Sequence, residues 1–172
     1  MQRRDALILA GVGLAAAAAG ILVGPMVLQS QSGAAELHAA SYPDLAGSIR
    51  RIDSWKGSAL VCNFWATWCA PCREEMPLLQ ATRQKYAEKG VEIVGIGIDN
   101  ADKIRQFAAE FGISYPLLVA DSGGIELMRN LGTRDGALPF TVILDRHGAI
   151  AYQRLGILRK EDLETALDGV LR

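Results

Sequence analysis

The chain has 172 residues, which suits one domain of ordinary size plus a smaller segment. Half of its residues are hydrophobic and 22% are charged, so it can build a core and is not globally disordered. Lys and Arg number 18 against 19 Asp and Glu, for a net charge of −1. This balance argues against nucleic-acid binding. The three cysteines are too few for a disulfide-stapled scaffold.

An uncharged apolar segment runs from Ala6 to Leu28. As a helix it would be about 34 Å long at ~1.5 Å per residue, enough to cross the core of a bilayer. Arg3 and Arg4 precede it and predict a cytoplasmic N-terminus, with the rest of the chain outside. We interpret residues 1–28 as an uncleaved membrane anchor, with a cleaved signal segment as the alternative. The small and polar residues 29–40 are predicted to form a linker.

From about Ser41 onward, apolar runs typical of buried strands alternate with helical patterns. The turn Arg146–Gly148 indicates a hairpin between the last two strands. Strands alternating with helices predict an α/β fold with a mixed sheet covered on both sides. Strands are predicted at Ala59–Trp65, Val91–Ile98, Tyr115–Ala120, Phe140–Asp145 and Ala149–Leu155, and helices at Pro71–Lys89, Ile104–Phe111, Ile125–Leu131 and from Leu163 to the end.

Two cysteines, Cys69 and Cys72, lie where the first of these strands passes into a helix. Free N–H groups and the helix dipole stabilise a thiolate at that point. The second thiol is one helical turn away, so Cys69 can attack a partner disulfide and Cys72 can resolve the mixed disulfide. Pro71 presets the start of the helix. Half of a zinc site, which would need two more ligands, and a purely structural disulfide remain as alternatives.

The segment Asn63–Arg73, NFWATWCAPCR, closely resembles the active-site segment of thioredoxin-like proteins, and specifically of the exported TlpA/ResA/CcmG branch. Tyr42–Leu45 and Lys56-Gly57 are similar to the N-terminal extension of that branch, and Leu138–Thr141 to its cis-proline segment. The similarity covers residues 41–172. It implies a thioredoxin-like fold, with a central mixed β-sheet flanked by helices, an N-terminal β extension and an inserted βα unit.

The resemblance also implies catalytic roles. Cys69 would be the nucleophile and Cys72 the resolving thiol, with their redox-active disulfide as the only redox group and with no metal. Glu75, on the same helix face as Cys72, would assist proton movement, because a partly desolvated carboxyl has a raised pKa and can act as a base. The alternative for Glu75 is a solvated helix charge. Asn63 occupies the position of a buried Asp in many cytoplasmic thioredoxins and cannot take up a proton.

A client-binding surface is implied around the cysteines. Pro139 would be cis and face Cys69, and the backbone at Leu138 would pair with an extended client segment. Trp68 would pack beside the disulfide and shape the docking surface, together with Ala70 and Pro71. The third cysteine, Cys62, lies within a predicted buried strand and is interpreted as an inert core residue.

The resulting hypothesis is a thiol–disulfide oxidoreductase anchored in the inner membrane, with its domain in the periplasm, that acts mainly as a protein-disulfide reductase. By resemblance, its clients would be apocytochrome c or a copper-site assembly protein, and a transmembrane thiol protein would supply electrons. A disulfide oxidase or isomerase is the main alternative, although Ala70-Pro71 lacks the histidine that strong oxidants tend to carry between their cysteines. A peroxidase or a copper chaperone of the same fold is a weaker alternative.

Overall fold

The computed structural model describes residues 33–172. The predicted anchor or signal segment, residues 1–28, lies outside this range. Within the range, no helix is long and apolar enough to span a membrane. The helices are residues 33–39 (α1), Ala70–Tyr86 (α2), Ala101–Phe111 (α3), Asp121–Asn130 (α4) and Lys160–Val170 (α5). The strands are Ser41–Pro43 (β1), Ile49–Arg51 (β2), Ala59–Trp65 (β3), Val91–Gly97 (β4), Leu117–Val119 (β5), Phe140–Leu144 (β6) and Ile150–Leu155 (β7).

The central sheet has five strands in the order β5-β4-β3-β6-β7. β4 runs parallel to β3 and β5, whereas β6 is antiparallel to β3 and β7. All seven residues of β3 are buried, as expected for a central strand covered on both faces. The predicted mixed α/β sheet is therefore confirmed. β1 and β2 form a separate antiparallel pair, which is the predicted N-terminal extension.

The helices that flank the sheet bury apolar side chains at helical spacing. On α2, the buried side chains recur at helical spacing and include Met76 and Leu79. The helix begins at Ala70, with Pro71 in its first turn, and passes into a short 3-10 segment at Ala87–Lys89. The pair β5–α4 lies between Cys72 and Pro139 and corresponds to the inserted βα unit that the resemblance implied.

The structure differs from the sequence interpretation over the predicted linker. Residues 33–39 are helical, and Leu37 is fully buried in the same core as β3. The Nε2 atom of His38 lies 3.0 Å from the carbonyl oxygen of Gly148 in the β6–β7 turn. The physical reason is that Ala34 and Leu37 are three residues apart and form one apolar stripe of a short helix, which the small and polar residues around them obscure.

Candidate active site

The two cysteines meet at the start of α2. Cys69 is the N-cap residue of the helix, and its Sγ accepts a hydrogen bond from the backbone N–H of Cys72 at 3.3 Å. The two sulfurs form a disulfide with an S–S distance of 2.00 Å. Cys69 is 6% exposed and Cys72 is fully buried. Any partner thiol or disulfide therefore meets the sulfur of Cys69 first.

The predicted cis-proline lies at the same end of the sheet. The Leu138–Pro139 peptide bond is cis, and the next residue, Phe140, pairs with Phe64 near the end of β3. Pro139 is thus positioned beside the point at which β3 continues toward Cys69. Leu138 is half-buried, so part of it is open to a partner.

Three large apolar residues in the segments next to Cys69 and Pro139 are exposed. Trp68 is 66% exposed, Leu155 52% and Ile157 43%. Trp68 directly precedes Cys69, and the backbone N–H of Gly156 donates a hydrogen bond to Pro139 at 2.8 Å. Sequence reasoning identified Trp68 but missed Leu155 and Ile157. A signal for Leu155 was available, because this residue lies on the exposed face of the alternating strand β7.

Glu75 is a buried carboxyl rather than a solvated helix charge. It is 2% exposed, whereas its neighbour Glu74 is exposed. Its Oε1 accepts a hydrogen bond from the side-chain amide of Asn63 at 2.7 Å, and its Oε2 accepts one from the backbone N–H of Leu158 at 2.8 Å. Burial raises the pKa of Glu75, and the two hydrogen bonds oppose that rise. A carboxyl of this kind can exchange a proton with nearby thiols.

Two further polar residues lie against Glu75. Asn63 and Thr141 are fully buried and face each other across the β3–β6 pair. The amide of Asn63 also donates to the Thr141 hydroxyl at 3.0 Å. The hydroxyl of Tyr115 is buried without a hydrogen-bond partner in the described part of the chain. Its pKa is raised by burial and, to a lesser extent, by the charge of Glu75.

A second polar contact fixes the loop before the cysteines. The hydroxyl of Thr67 donates a hydrogen bond to the carboxylate of Asp99, which follows β4. Asp99 also accepts from the backbone N–H of Asn100 at 2.8 Å and lies 3.4 Å from the ammonium of Lys103. Burial opposes ionisation of Asp99, but these donors outweigh it and lower its pKa. Sequence reasoning gave no indication of this contact, which joins residues 32 positions apart.

The remaining cysteine has the properties of a core residue. Cys62 is fully buried, and burial raises the pKa of its thiol to about 12. Among residues 33–172, no group of three His, Cys, Asp or Glu side chains is arranged to hold a metal ion.

Comparisons with known proteins agree with this site. The Redoxin family model matches residues 36–171. The thiol-disulfide oxidoreductase ResA of Bacillus thuringiensis (strain Al Hakam) is 36% identical over 122 residues, which cover 70% of this chain and 68% of ResA. The thioredoxin-like protein YneN of Bacillus subtilis (strain 168) is 34% identical over 132 residues, or 74% of each chain.

A similar structure has also been solved. The thiol:disulfide interchange protein of the thioredoxin family from Chlorobium tepidum TLS is 26% identical and has a TM-score of 0.69, covering 77% of this chain and 93% of that one. This similarity supports the thioredoxin-like fold described above. On this evidence the chain belongs to the Redoxin family, as a thioredoxin-like thiol–disulfide oxidoreductase of the ResA type.

Proposed function

We propose that this oxidoreductase acts outside the cytoplasm as a reductant of protein disulfides, tethered by residues 1–28. The observation that carries the proposal is the cysteine pair at the start of α2, in which only Cys69 reaches the surface. The oxidising conditions outside the cytoplasm form unwanted disulfides. A tether to the membrane would keep the domain at a high effective concentration near an electron donor and its clients.

The reaction proceeds by two thiol–disulfide exchanges. The Cys69 thiolate attacks one sulfur of the client disulfide, and the other client sulfur leaves as a thiolate. The Cys72 thiolate then attacks the Cys69 sulfur, which releases the second client sulfur and forms the Cys69–Cys72 disulfide. The client gains two electrons and the cysteine pair loses them. A transmembrane thiol protein would return the pair to its reduced form.

Glu75 would carry the proton that the second exchange releases. Cys72 must lose a proton before it attacks, and its side chain is fully buried, away from bulk water. Glu75 lies one helical turn after Cys72, and both side chains belong to the buried face of α2. A carboxyl whose pKa is raised by burial is a stronger base than a solvated carboxyl and can accept that proton.

The client would bind across the surface around Cys69. The backbone at Leu138, next to the cis bond to Pro139, offers an extended edge for a client segment. Trp68, Ala70 and Pro71 lie on or near the surface beside Cys69 and would contact the residues that flank the client sulfur. These roles agree with the exposure of each residue.

Reduction rather than oxidation is favoured by the residues between the cysteines. Ala70 and Pro71 add no positive charge to stabilise the Cys69 thiolate, and a less stabilised thiolate corresponds to a lower reduction potential. Clients whose cysteines must be reduced before they bind haem or copper, such as apocytochrome c or a copper-site assembly protein of an oxidase, fit this direction.

Two experiments test the proposal. The reduction potential of the pair, equilibrated against dithiothreitol in the full chain, should be at or below about −230 mV, whereas a value near about −120 mV would indicate an oxidant instead.

The second experiment uses a Cys72→Ser variant, which cannot resolve the mixed disulfide at Cys69. This variant should accumulate a mixed disulfide with a peptide that carries a Cys-X-X-Cys-His disulfide. The Cys69→Ser variant should accumulate none, and Cys62→Ser should behave as the wild type.

A further inference from the structure

A hydrogen-bonded group of polar side chains crosses the apolar core beneath α2. Its members are Glu75 on the helix, Asn63 on β3 and Thr141 on β6, which are 2%, 0% and 0% exposed. The backbone N–H of Leu158, from the segment between β7 and α5, completes the group. Buried polar groups are costly unless they are hydrogen-bonded, so this arrangement has to satisfy Glu75 in whichever protonation state it adopts.

The present arrangement suits the ionised carboxylate. Both oxygens of Glu75 accept hydrogen bonds, one from Asn63 at 2.7 Å and one from Leu158 at 2.8 Å. The second hydrogen of the Asn63 amide goes to the Thr141 hydroxyl at 3.0 Å. Thr141 thus acts as an acceptor. A carboxylate has only acceptor sites, and here each of its two oxygens has a donor.

A protonated Glu75 needs a different partner. Its O–H is a donor and requires an acceptor within hydrogen-bond distance. The N–H of Leu158 is fixed by the backbone and cannot serve. The side-chain amide of Asn63 can, because it carries an acceptor and a donor group of nearly equal size on one flat unit. Turned over, the amide would place Oδ1 where Nδ2 now lies, at the same 2.7 Å from Glu75 and 3.0 Å from Thr141.

The hydroxyl of Thr141 completes this exchange, because a hydroxyl both donates and accepts. With the amide turned over, Thr141 donates to Oδ1 instead of accepting from Nδ2. The side of the amide that faces away from Glu75 and Thr141 carries Oδ1. Within residues 33–172, this atom is buried without a hydrogen-bond partner. Turning the amide over therefore breaks no bond there.

We propose that Asn63 and Thr141 are positioning residues that hold Glu75 in both of its protonation states by a turn of the Asn63 amide. The inference rests on the proposed role of Glu75 as a proton carrier. It explains how a buried carboxyl gains and loses a proton without movement of the backbone. A leucine at position 63 would satisfy neither state, and an aspartate would place a second acidic group against Glu75.

Within residues 33–172, the sheet contributes to the surroundings of Glu75 the neutral side chain of Asn63, which is itself bonded to Thr141. The segment before β5 contributes Tyr115, whose ionisation lies far above neutral pH. On α2 itself, Cys72 shares the buried face with Glu75, and its sulfur does not titrate in the disulfide. In the disulfide form, a pH titration of this core near or below neutral pH therefore reports on Glu75.

The test is an NMR titration of the full chain in its disulfide form, solubilised in mild detergent. The carboxyl carbon of Glu75 and the side-chain amide of Asn63 should change with the same pH midpoint. The nuclear Overhauser effect between the Asn63 amide protons and the Thr141 side chain should be present above that midpoint and lost below it. In Glu75→Gln, which imitates the neutral acid, it should be absent at every pH.

Two substitutions separate the roles. Asn63→Leu removes a charge-assisted hydrogen bond from the ionised form of Glu75 but only a neutral hydrogen bond from its protonated form. The ionised form therefore loses more stabilisation, and the pH midpoint of Glu75 should rise by about one unit. Thr141→Val removes one bond from each orientation and should move the midpoint by less than about half a unit. The matched control is Thr82→Val, at another buried threonine on α2, which should leave the midpoint unchanged.

The outcomes distinguish this inference from the proposed function. An Asn63 amide that does not respond while Glu75 titrates would overturn the turn of the amide and leave the role of Glu75 intact. A Thr141→Val shift as large as that of Asn63→Leu would overturn the dual role of the hydroxyl. A linked titration in a protein that reduces no client would support the network and contradict the function. The titration of the unmodified chain needs no substitution, so it tests the turn of the Asn63 amide even if Asn63→Leu does not fold.

Discussion

The backbone N–H of Gly156 donates a hydrogen bond to the carbonyl oxygen of Pro139, 2.8 Å away. This bond holds the end of β7 against the cis-proline segment, and the neighbouring residues Leu155 and Ile157 are about half exposed. Large apolar side chains that remain exposed around a reactive group commonly mark a binding surface. We therefore expect the segment 155–157 to extend the proposed client-binding surface beyond Trp68 and Leu138.

Ile157→Asp should weaken client binding without changing the chemistry at Cys69. A charge on this surface removes an apolar contact, and we expect the KM for a protein disulfide to rise about tenfold, equivalent to ~1.4 kcal/mol. The rate at which the protein reduces a small disulfide such as 5,5′-dithiobis(2-nitrobenzoate) should stay the same. Ile49→Asp is the matched control, because Ile49 is 67% exposed on β2 and lies outside the site. An equal effect of both substitutions would contradict the extended surface.

The stability of the disulfide form should depend on the ionisation of Glu75. Burial raises its pKa in the folded chain above the value in the unfolded chain, so the folded chain keeps this proton to a higher pH. The contribution is present below the unfolded pKa and is lost as the pH rises through the folded pKa. The free energy of unfolding should fall across that window by up to about 1.4 kcal/mol per pH unit.

Urea unfolding of the wild type and Glu75→Gln at several pH values measures this slope. Glu75→Gln should remove the slope, because the amide imitates the protonated acid at every pH. Glu74→Gln, at the exposed neighbour, should keep it. A slope that survives in Glu75→Gln would show that another group is responsible.

Cys62 should be unreactive in the folded chain. It is fully buried and the pKa of its thiol is about 12, so almost no thiolate is present at neutral pH. Iodoacetamide should label Cys69 in the reduced native protein and should reach Cys62 only in urea, as mass spectrometry of digested samples would measure. Labelling of Cys62 at the rate of Cys69 without denaturant would show that β3 opens readily.

The parts of the molecule that could be predicted from sequence are those that local patterns determine. β3 is a continuous apolar run, and it is central and buried as expected. The spacing of Cys69 and Cys72 is a local signal too, and the two form a disulfide at the start of a helix. The position of Glu75, three residues further along the same helix, placed it on the buried face.

The contacts that sequence reasoning missed depend on tertiary register. Asn63 and Thr141 are 78 residues apart and meet only because β3 and β6 pair in one particular alignment. Glu75 and Leu158 are 83 residues apart, and the donor is a backbone N–H group, whose partner cannot be predicted from the residue type. The docking of residues 33–39 was missed because a stripe of only two apolar residues, Ala34 and Leu37, is too short for a periodicity argument.

Leu37→Ala should test whether this short helix belongs to the folded domain. Leu37 is fully buried within the main core, and its truncation should lower the free energy of unfolding by about 2–5 kcal/mol. Glu36→Ala is the control, because it removes only an exposed hydrogen bond to Asn130 and should cost less than about 1 kcal/mol. Urea unfolding of the full chain measures both. Equal and small losses would mean that residues 33–39 contribute little to the fold, and that the domain begins near Ser41, as the composition of the segment suggested.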